Sequence, residues 1–227
     1  MGRPERLVIE ESGRMEVAAA TWIAMAVESS IRQRGHCALA LAGGKTPRLV
    51  YQRLAAPPLS ERVAWERVAI YFGDERCVPP DDPESNFLMA NETLLGRIPI
   101  PRSQIHRMEG ERPDREASAR AYERLLPDRL DILLLGMGRD GHTASILPHS
   151  LTVREQLRRV MPARSPHPPT WRLTITPPVI RDARTIGVIV SGAEKAASRP
   201  VTDSGSWTAR PRGDWSMASH EGACGPR

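Results

Sequence analysis

Asp140 and His142 stand two residues apart at the end of Leu135-Gly136-Met137-Gly138-Arg139-Asp140-Gly141-His142-Thr143-Ala144-Ser145. A carboxylate beside an imidazole fixes the ring's orientation and tautomer, the arrangement that general-base catalysis uses. Two other turns carry groups of comparable promise. Gly73-Asp74-Glu75-Arg76 offers acids beside a guanidinium, and Gly43-Gly44-Lys45-Thr46-Pro47 offers free backbone N–H groups and a lysine. Glycine lets a backbone turn sharply and come close to a ligand, and N–H groups at a helix start suit an anion.

Two of the three turns invite a named motif that fails on inspection. A nucleoside-triphosphate P-loop needs a glycine five positions before its final glycine, where this chain has Leu39. Gly136-x-Gly138-x-x-Gly141 matches the dinucleotide fingerprint in letters, but no acidic residue stands about 20 positions on at the end of a next strand. Arg139 and Asp140 also crowd the space a pyrophosphate would take. His36, His106, His149, His167 and His220 show no metal-ligand spacing with one another or with the acids. The expectation is a site with no metal and no organic cofactor.

The elements that must position these turns follow from apolar runs. Leu7-Val8-Ile9-Glu10 reads as a first strand. Val17, Ala20, Ile23, Val27 and Ile31 predict a helix from Met15 to about Arg34, stopped by Gly35. His36 to Ala42 reads as a strand. Thr46 is then the expected N-cap and Pro47 the first residue of a helix running to Leu54. Val68 to Phe72 is a third strand. A loop over Val78 to Pro83, a helix from Glu84 to about Leu95, a short strand over Gln104 to Met108 and a helix from Glu116 to Leu126 follow. Leu130 to Leu135 is an uninterrupted aliphatic run, as in a strand buried on both faces. Arg172 to Thr176 and Thr185 to Gly192 read as further strands, Pro162 to Pro169 as a Pro-rich loop, and Gly192-Ala193-Glu194-Lys195-Ala196 as a helix start. Strands alternating with helices predict a layered α/β domain with a mostly parallel sheet. Ligands of such sheets bind at the carboxyl ends of the strands, where all three turns fall.

Bulk properties narrow the class. The chain has 227 residues, 40% hydrophobic and 26% charged, with a net charge of +5. Its arginines are scattered, which argues against a nucleic-acid stripe and leaves two readings, a basic pocket for a phosphorylated or carboxylated small molecule and a generally arginine-rich surface that needs no ligand. Three cysteines without a CxxC pairing fit a reducing, cytoplasmic setting. No signal peptide is expected, and no apolar run approaches the ~18–20 residues that span a bilayer.

With these turns in order, the chain resembles the 6-phosphogluconolactonases. The likeness rests on Leu41-Ala42-Gly43-Gly44-Lys45-Thr46-Pro47, on Phe72 to Pro80 with Ser85-Asn86-Phe87, on Leu135 to Ser145, on Arg172 to Thr176, and on Ser191-Gly192-Ala193-Glu194-Lys195-Ala196. It covers roughly residues 7–197. The resemblance implies a Rossmann-like sheet with helices on both faces, related to glucosamine-6-phosphate deaminase. It also implies cofactor-free hydrolysis of 6-phospho-D-glucono-1,5-lactone, as a monomer or weak homo-oligomer. His142 would act as general base and Asp140 would orient it. Asp74 and Arg76 complete the expected catalytic group, Arg76 or the backbone of the Gly136–Gly141 turn serving the carbonyl oxygen. Gly43, Gly44, Lys45, Thr46, Gly138, Arg172 and Lys195 would hold the substrate and its phosphate.

Two rivals carry weight. A deaminase of the same fold would have Asp-Glu-Tyr where this chain has Asp74-Glu75-Arg76, and an acid-containing stretch where it has Thr143-Ala144-Ser145. A sugar-phosphate sensor would carry a DNA-binding segment before the first strand, and Leu7 leaves little room for one. From Ser198 to Arg227 the pattern is lost in Ser-, Gly-, Arg- and Pro-rich text that includes Trp207 and Trp215. Such composition predicts an atypical tail, disordered or read out of frame.

Overall fold

The computed structural model describes residues 14–191 and the backbone of 207–209 and 215–217. The predicted first strand at Leu7 and the helix start at Gly192, with Lys195, lie outside the described residues.

Helix α1 (Met15–Arg34) buries Ala19, Ala20, Ile23, Ala24 and Val27 along one side, the three-and-four spacing of an amphipathic helix. Gly35, at φ 80°, ends it by donating its N–H to the carbonyl of Ile31. Strand β1 (Cys37–Leu41) is buried throughout and leads to α2 (Lys45–Leu54) and the single turn α3 (Leu59–Arg62). Strand β2 (Val68–Phe72) follows, then the three-residue β3 (Asp74–Arg76). Helix α4 (Asn86–Ala90) continues as a wider π turn over Asn91–Leu95. Helix α5 (Arg115–Leu125) precedes β4 (Ile132–Leu135). Strands β5 (Val160–Arg164) and β6 (Trp171–Ile175), helix α6 (Pro177–Asp182) and β7 (Thr185–Val188) complete this part.

Four strands pair in the order β2-β1-β4-β7, all parallel. Alternate residues of each strand serve opposite faces. Leu39, Leu41, Ile70, Phe72, Ile132 and Leu134 pack with α1, α2 and α3. Ala38, Ala40, Tyr71, Leu133 and Leu135 pack with Ala119 and Tyr122 of α5 and Val179 and Ile180 of α6. Each fully buried aliphatic side chain in these layers contributes roughly 1.5–3 kcal/mol of transfer free energy. Asp131, just before β4, accepts a bond from the Ala38 N–H at 2.8 Å, fixing β4 beside β1.

The order places β1 between β2, the next strand of this sheet along the chain, and β4, the one after it. The chain therefore leaves β1 toward one edge and β4 toward the other. The gap between their carboxyl ends is a topological switch point, where open α/β sheets form a crevice.

Several expectations are corrected. The Arg172–Thr176 strand is outside the parallel sheet: β6 pairs antiparallel with β3 on one side and β5 on the other. One face of the main sheet is thus covered by α5 and α6 together with a small sheet that supplies Val160, Leu173 and Ile175. Part of the expected Pro-rich loop is strand β5. Pro162 is tolerated there because β5 is an edge strand of its sheet, where a missing N–H costs no ladder bond. The Gln104–Met108 strand reduces to one parallel bridge, Ile105 to Ile70. Helix α2 begins at Lys45 with Gly44 as N-cap (φ 105°, ψ 175°), not at Pro47 with Thr46. Glycine alone adopts that backbone readily, and Pro47 still falls in the first turn, where an N–H has no helical acceptor. In the C-terminal stretch, Trp207–Ala209 (β8) and Trp215–Met217 (β9) pair antiparallel, although the sequence shows no strand alternation there. No helix among the described residues is long and apolar enough to cross a membrane.

Candidate active site

The switch point is walled by two glycine turns that meet. A Cβ built on Gly136 would come within 3.9 Å of the Gly43 carbonyl oxygen. The resulting cleft, about 180 Å3, is lined by Gly43, Gly44, Lys45, Thr46, Asp74, Arg76, Gly138, His142 and Arg172, with Asn86 among its other lining residues. The structure thus brings nine of the predicted residues to one cleft. Asp140 borders an adjoining cavity instead, and Lys195 lies outside the described residues.

The turn after β4 is closed by its own backbone. Gly138 donates its N–H to the His142 carbonyl at 2.8 Å, and Gly141, at φ 84°, donates to the Gly138 carbonyl at 3.1 Å. Thr143 Oγ1 ties the exit to the Gly136 carbonyl at 2.9 Å. Residues 142–150 form turns and a bridge, so the helix that a dinucleotide fingerprint requires does not follow this strand. Inside this turn His142 Nδ1 lies 2.5 Å from Asp140 Oδ1, and the same oxygen accepts the His142 backbone N–H at 3.2 Å. With Nδ1–H donated to the carboxylate, Nε2 keeps its lone pair for the cleft. Burial alone would raise the Asp140 pKa. The bonds from the His142 ring and backbone outweigh it and hold the carboxyl below its ordinary range. Gly138 has a steric reason to be glycine: a Cβ there would sit 2.2 Å from the imidazole.

Asp74, Glu75 and Arg76 are not a solvated loop. As strand β3, Asp74 and Glu75 are buried, and each is held by several donors. Ser145 Oγ donates to Asp74 Oδ2 at 2.6 Å, and Asn86 Nδ2 donates to Asp74 Oδ1 at 3.1 Å and to its backbone carbonyl at 2.9 Å. Glu75 accepts the N–H groups of Arg76, Asn86 and Phe87 and the Ser85 hydroxyl. Burial raises the Glu75 pKa, with the three backbone donors acting against it. Asn86 is a site residue that spacing does not reveal: it lies 12 positions from Asp74, inside a helix. It fills the space beside Gly43, where a Cβ would fall 2.0 Å from its Oδ1.

Strands β3 and β6 each supply one arginine to the cleft. Arg76 and Arg172 are direct cross-strand partners, and the Nε of each is buried without a hydrogen-bond partner among the described residues. Arg76 also reaches the Glu84 carbonyl and its carboxylate, the latter at 3.6 Å. Burial lowers the Arg172 pKa; nearby Asp74 opposes this and Arg76 adds to it. Two guanidiniums side by side repel unless an anion lies between them.

Two buried tyrosines hold the strand ends that feed the cleft. Tyr51 Oη accepts the Ala42 N–H and donates to the Ala42 carbonyl, both at 2.9 Å. Tyr122 Oη does the same for Phe72, at 2.7 and 3.2 Å. Each hydroxyl takes the place of a neighbouring strand for the last residue before a glycine.

A parallel α/β fold with an Asp–His pair and an arginine pair at its switch point defines a class of small-molecule enzyme sites, and comparison with known proteins gives the family. Residues 10–206 match the model of the glucosamine-6-phosphate isomerases/6-phosphogluconolactonase family. The chain is 37% identical over 203 residues to the 6-phosphogluconolactonase of Mycobacterium leprae, covering 83% of this chain and 81% of that one. It is similar to the crystal structure of the 6-phosphogluconolactonase of Thermotoga maritima, with a TM-score of 0.74, 28% identity and coverage of 85% and 86%. A monomeric glucosamine-6-phosphate deaminase shares the fold at a TM-score of 0.72, 24% identity and coverage of 85% and 84%. The chain belongs to the glucosamine-6-phosphate isomerase/6-phosphogluconolactonase family.

Proposed function

We propose that this chain hydrolyses the ring ester of 6-phospho-D-glucono-1,5-lactone to 6-phospho-D-gluconate, the second step of the oxidative pentose phosphate pathway. The observation that carries the mechanism is the 2.5 Å contact of His142 Nδ1 with Asp140, which leaves Nε2 as a base at the cleft. Nε2 takes a proton from water as the water oxygen attacks the carbonyl carbon. The carbonyl π electrons move to oxygen, giving a tetrahedral oxyanion. That intermediate re-forms its carbonyl as the bond to the ring oxygen breaks, and His142 returns its proton to the leaving oxygen. The new carboxylic acid then ionises.

The oxyanion needs donors aimed at it. The Gly138 and Gly141 N–H groups are already engaged within their turn, which favours Arg76 over them for this task. Asp74, with both oxygens engaged by Ser145 and Asn86, acts by positioning rather than by moving a proton. The phosphate is held by the Gly43–Thr46 turn at the start of α2 and by Arg172, with Lys195 completing the set. Gly138 serves by making room for His142.

Residues 1–197 form the catalytic unit in this reading, in a cytoplasmic enzyme that is monomeric or weakly associated. The atypical end from 198 to 227 is tested by translating the same DNA in the other two frames, where a lactonase-like continuation supports a frameshift and its absence contradicts one.

The reaction is tested by offering the purified chain the lactone and, separately, glucosamine 6-phosphate. Acid release from the lactone above its spontaneous rate, with no ammonia from the amino sugar, is the expected result. Ammonia release would favour the deaminase.

A further inference from the structure

A second cavity, of about 330 Å3, meets the cleft at two side chains only, His142 and Arg172. Its remaining lining includes Arg139, Asp140, Ser145, Ser165 and His167. The two spaces differ in chemistry. The first holds the glycine turn, Lys45 and both arginines of the β3–β6 pair. The second lacks the glycine turn, Lys45 and Arg76, and sets Arg139, Asp140, the Ser165 hydroxyl and the His167 imidazole around the arginine they share.

Ser165 is 7% exposed and fixed by its own loop. Its N–H donates to the Thr170 carbonyl at 2.7 Å, and its Oγ accepts the His167 N–H at 3.1 Å. Its hydroxyl hydrogen has no acceptor among the described residues. A nearly buried hydroxyl with an unspent donor beside a cavity is a place where a ligand oxygen gains more than it would in water. His167 stands exposed at the rim of the same cavity.

A phosphorylated 1,5-lactone has a matching shape. Its carbonyl carbon joins two arms of one six-membered ring: one runs through the ring oxygen to C5 and its phosphorylated C6, the other through the hydroxylated carbons C2 to C4 before closing onto C5. With the carbonyl at His142, two arms of different chemistry meet two spaces of different chemistry. Resting on the lactonase reading above, we propose that the second cavity is the subsite for the hydroxylated arm. Ser165 donates to one of its hydroxyl oxygens and His167 contacts the same arm. The pair sets which phosphorylated lactones are accepted, while the glycine turn and Arg172 hold the phosphate.

The test compares kcat/KM for 6-phosphoglucono-1,5-lactone and its 2-, 3- and 4-deoxy analogues, in the wild type, Ser165→Ala and His167→Ala. A site built to bond a hydroxyl rejects the analogue lacking it, so the wild type should disfavour at least one deoxy lactone by about tenfold or more. Ser165→Ala or His167→Ala should lose a similar factor on the parent lactone and little on that analogue, bringing the ratio toward one. His167→Ala alters an exposed side chain and keeps the test available should Ser165→Ala misfold. Unchanged ratios in both variants at all three positions, or a wild type indifferent to every deletion, would overturn the subsite. A wild type that accelerates no phosphorylated lactone overturns the lactonase reading itself, and the subsite with it.

Discussion

Arg76 and Arg172 stand directly opposite each other on β3 and β6, each with a buried Nε that has no partner among the described residues. Like charges in that register cost stability, and burial already disfavours the charged form of Arg172. In the proposed reading the pair meets the anionic groups of the substrate, Arg172 taking the phosphate. A phosphate ligand at about 100 times its Kd should stabilise the fold by about 2.7 kcal/mol, a rise in Tm of roughly 5–10 °C for a chain of this size. Arg172→Gln should lose most of that rise and melt no lower than wild type without ligand. Thermal melts with and without 6-phosphogluconate check both; an unchanged rise in the variant would contradict the assignment.

Asp140 makes a separable contribution. Asp140→Asn keeps the shape but offers a neutral group to His142 Nδ1, so kcat should fall about 10²–10⁴-fold. The stability effect has a defined sign. The folded pKa of Asp140 lies below its ordinary 3.8, so near that pH the folded state binds fewer protons than the unfolded chain. Stability from the carboxylate is present above about pH 3.8 and is lost as pH falls through the depressed value. Melting curves of wild type and Asp140→Asn should differ at neutral pH and converge in acid. A gap that widens in acid would be the wrong sign.

Gly138→Ala should separate folding from catalysis. The added methyl would lie 2.2 Å from the His142 ring, so the imidazole must move. A displacement of about 1 Å at a reacting group costs about 10²-fold in rate. The far-ultraviolet circular dichroism should remain that of wild type while kcat falls by about that factor.

Tyr51→Phe keeps the packing and removes one oxygen, leaving the buried Ala42 N–H and carbonyl without their partner. The cost should be about 1–3 kcal/mol, read as a lower urea midpoint with an unchanged m-value. Because Ala42 feeds the Gly43–Thr46 turn, KM should rise more than kcat falls. A midpoint identical to wild type would remove this clamp from the account.

The main sheet was legible because its strands are continuous aliphatic runs, such as Ile132-Leu133-Leu134-Leu135, that can lie only between two apolar layers. The three glycine turns were legible for the same reason: each ends such a run. The small antiparallel sheet was not. Asp74-Glu75-Arg76 has no apolar alternation, and its acids are buried only because Ser145, Asn86 and the start of α4 supply donors from distant positions. Strand β5 was hidden by Pro162, which reads as a loop residue unless the edge position is known. Asn86 gave no signal outside a family motif, since its partners Asp74 and Gly43 are set by folding rather than by spacing. Thr46 does not cap α2, because the conformation of Gly44, invisible in the letters, decides where the helix begins.

The central claim is that His142 is the base at the lactone carbonyl. It is tested most directly by the rate of lactone hydrolysis, corrected for the spontaneous reaction, in the purified chain and in His142→Ala at the same pH. The account predicts clear acceleration by the wild type and a loss of about 10²-fold or more in kcat for a variant that still folds and binds 6-phosphogluconate. Equal rates for the two proteins would contradict it.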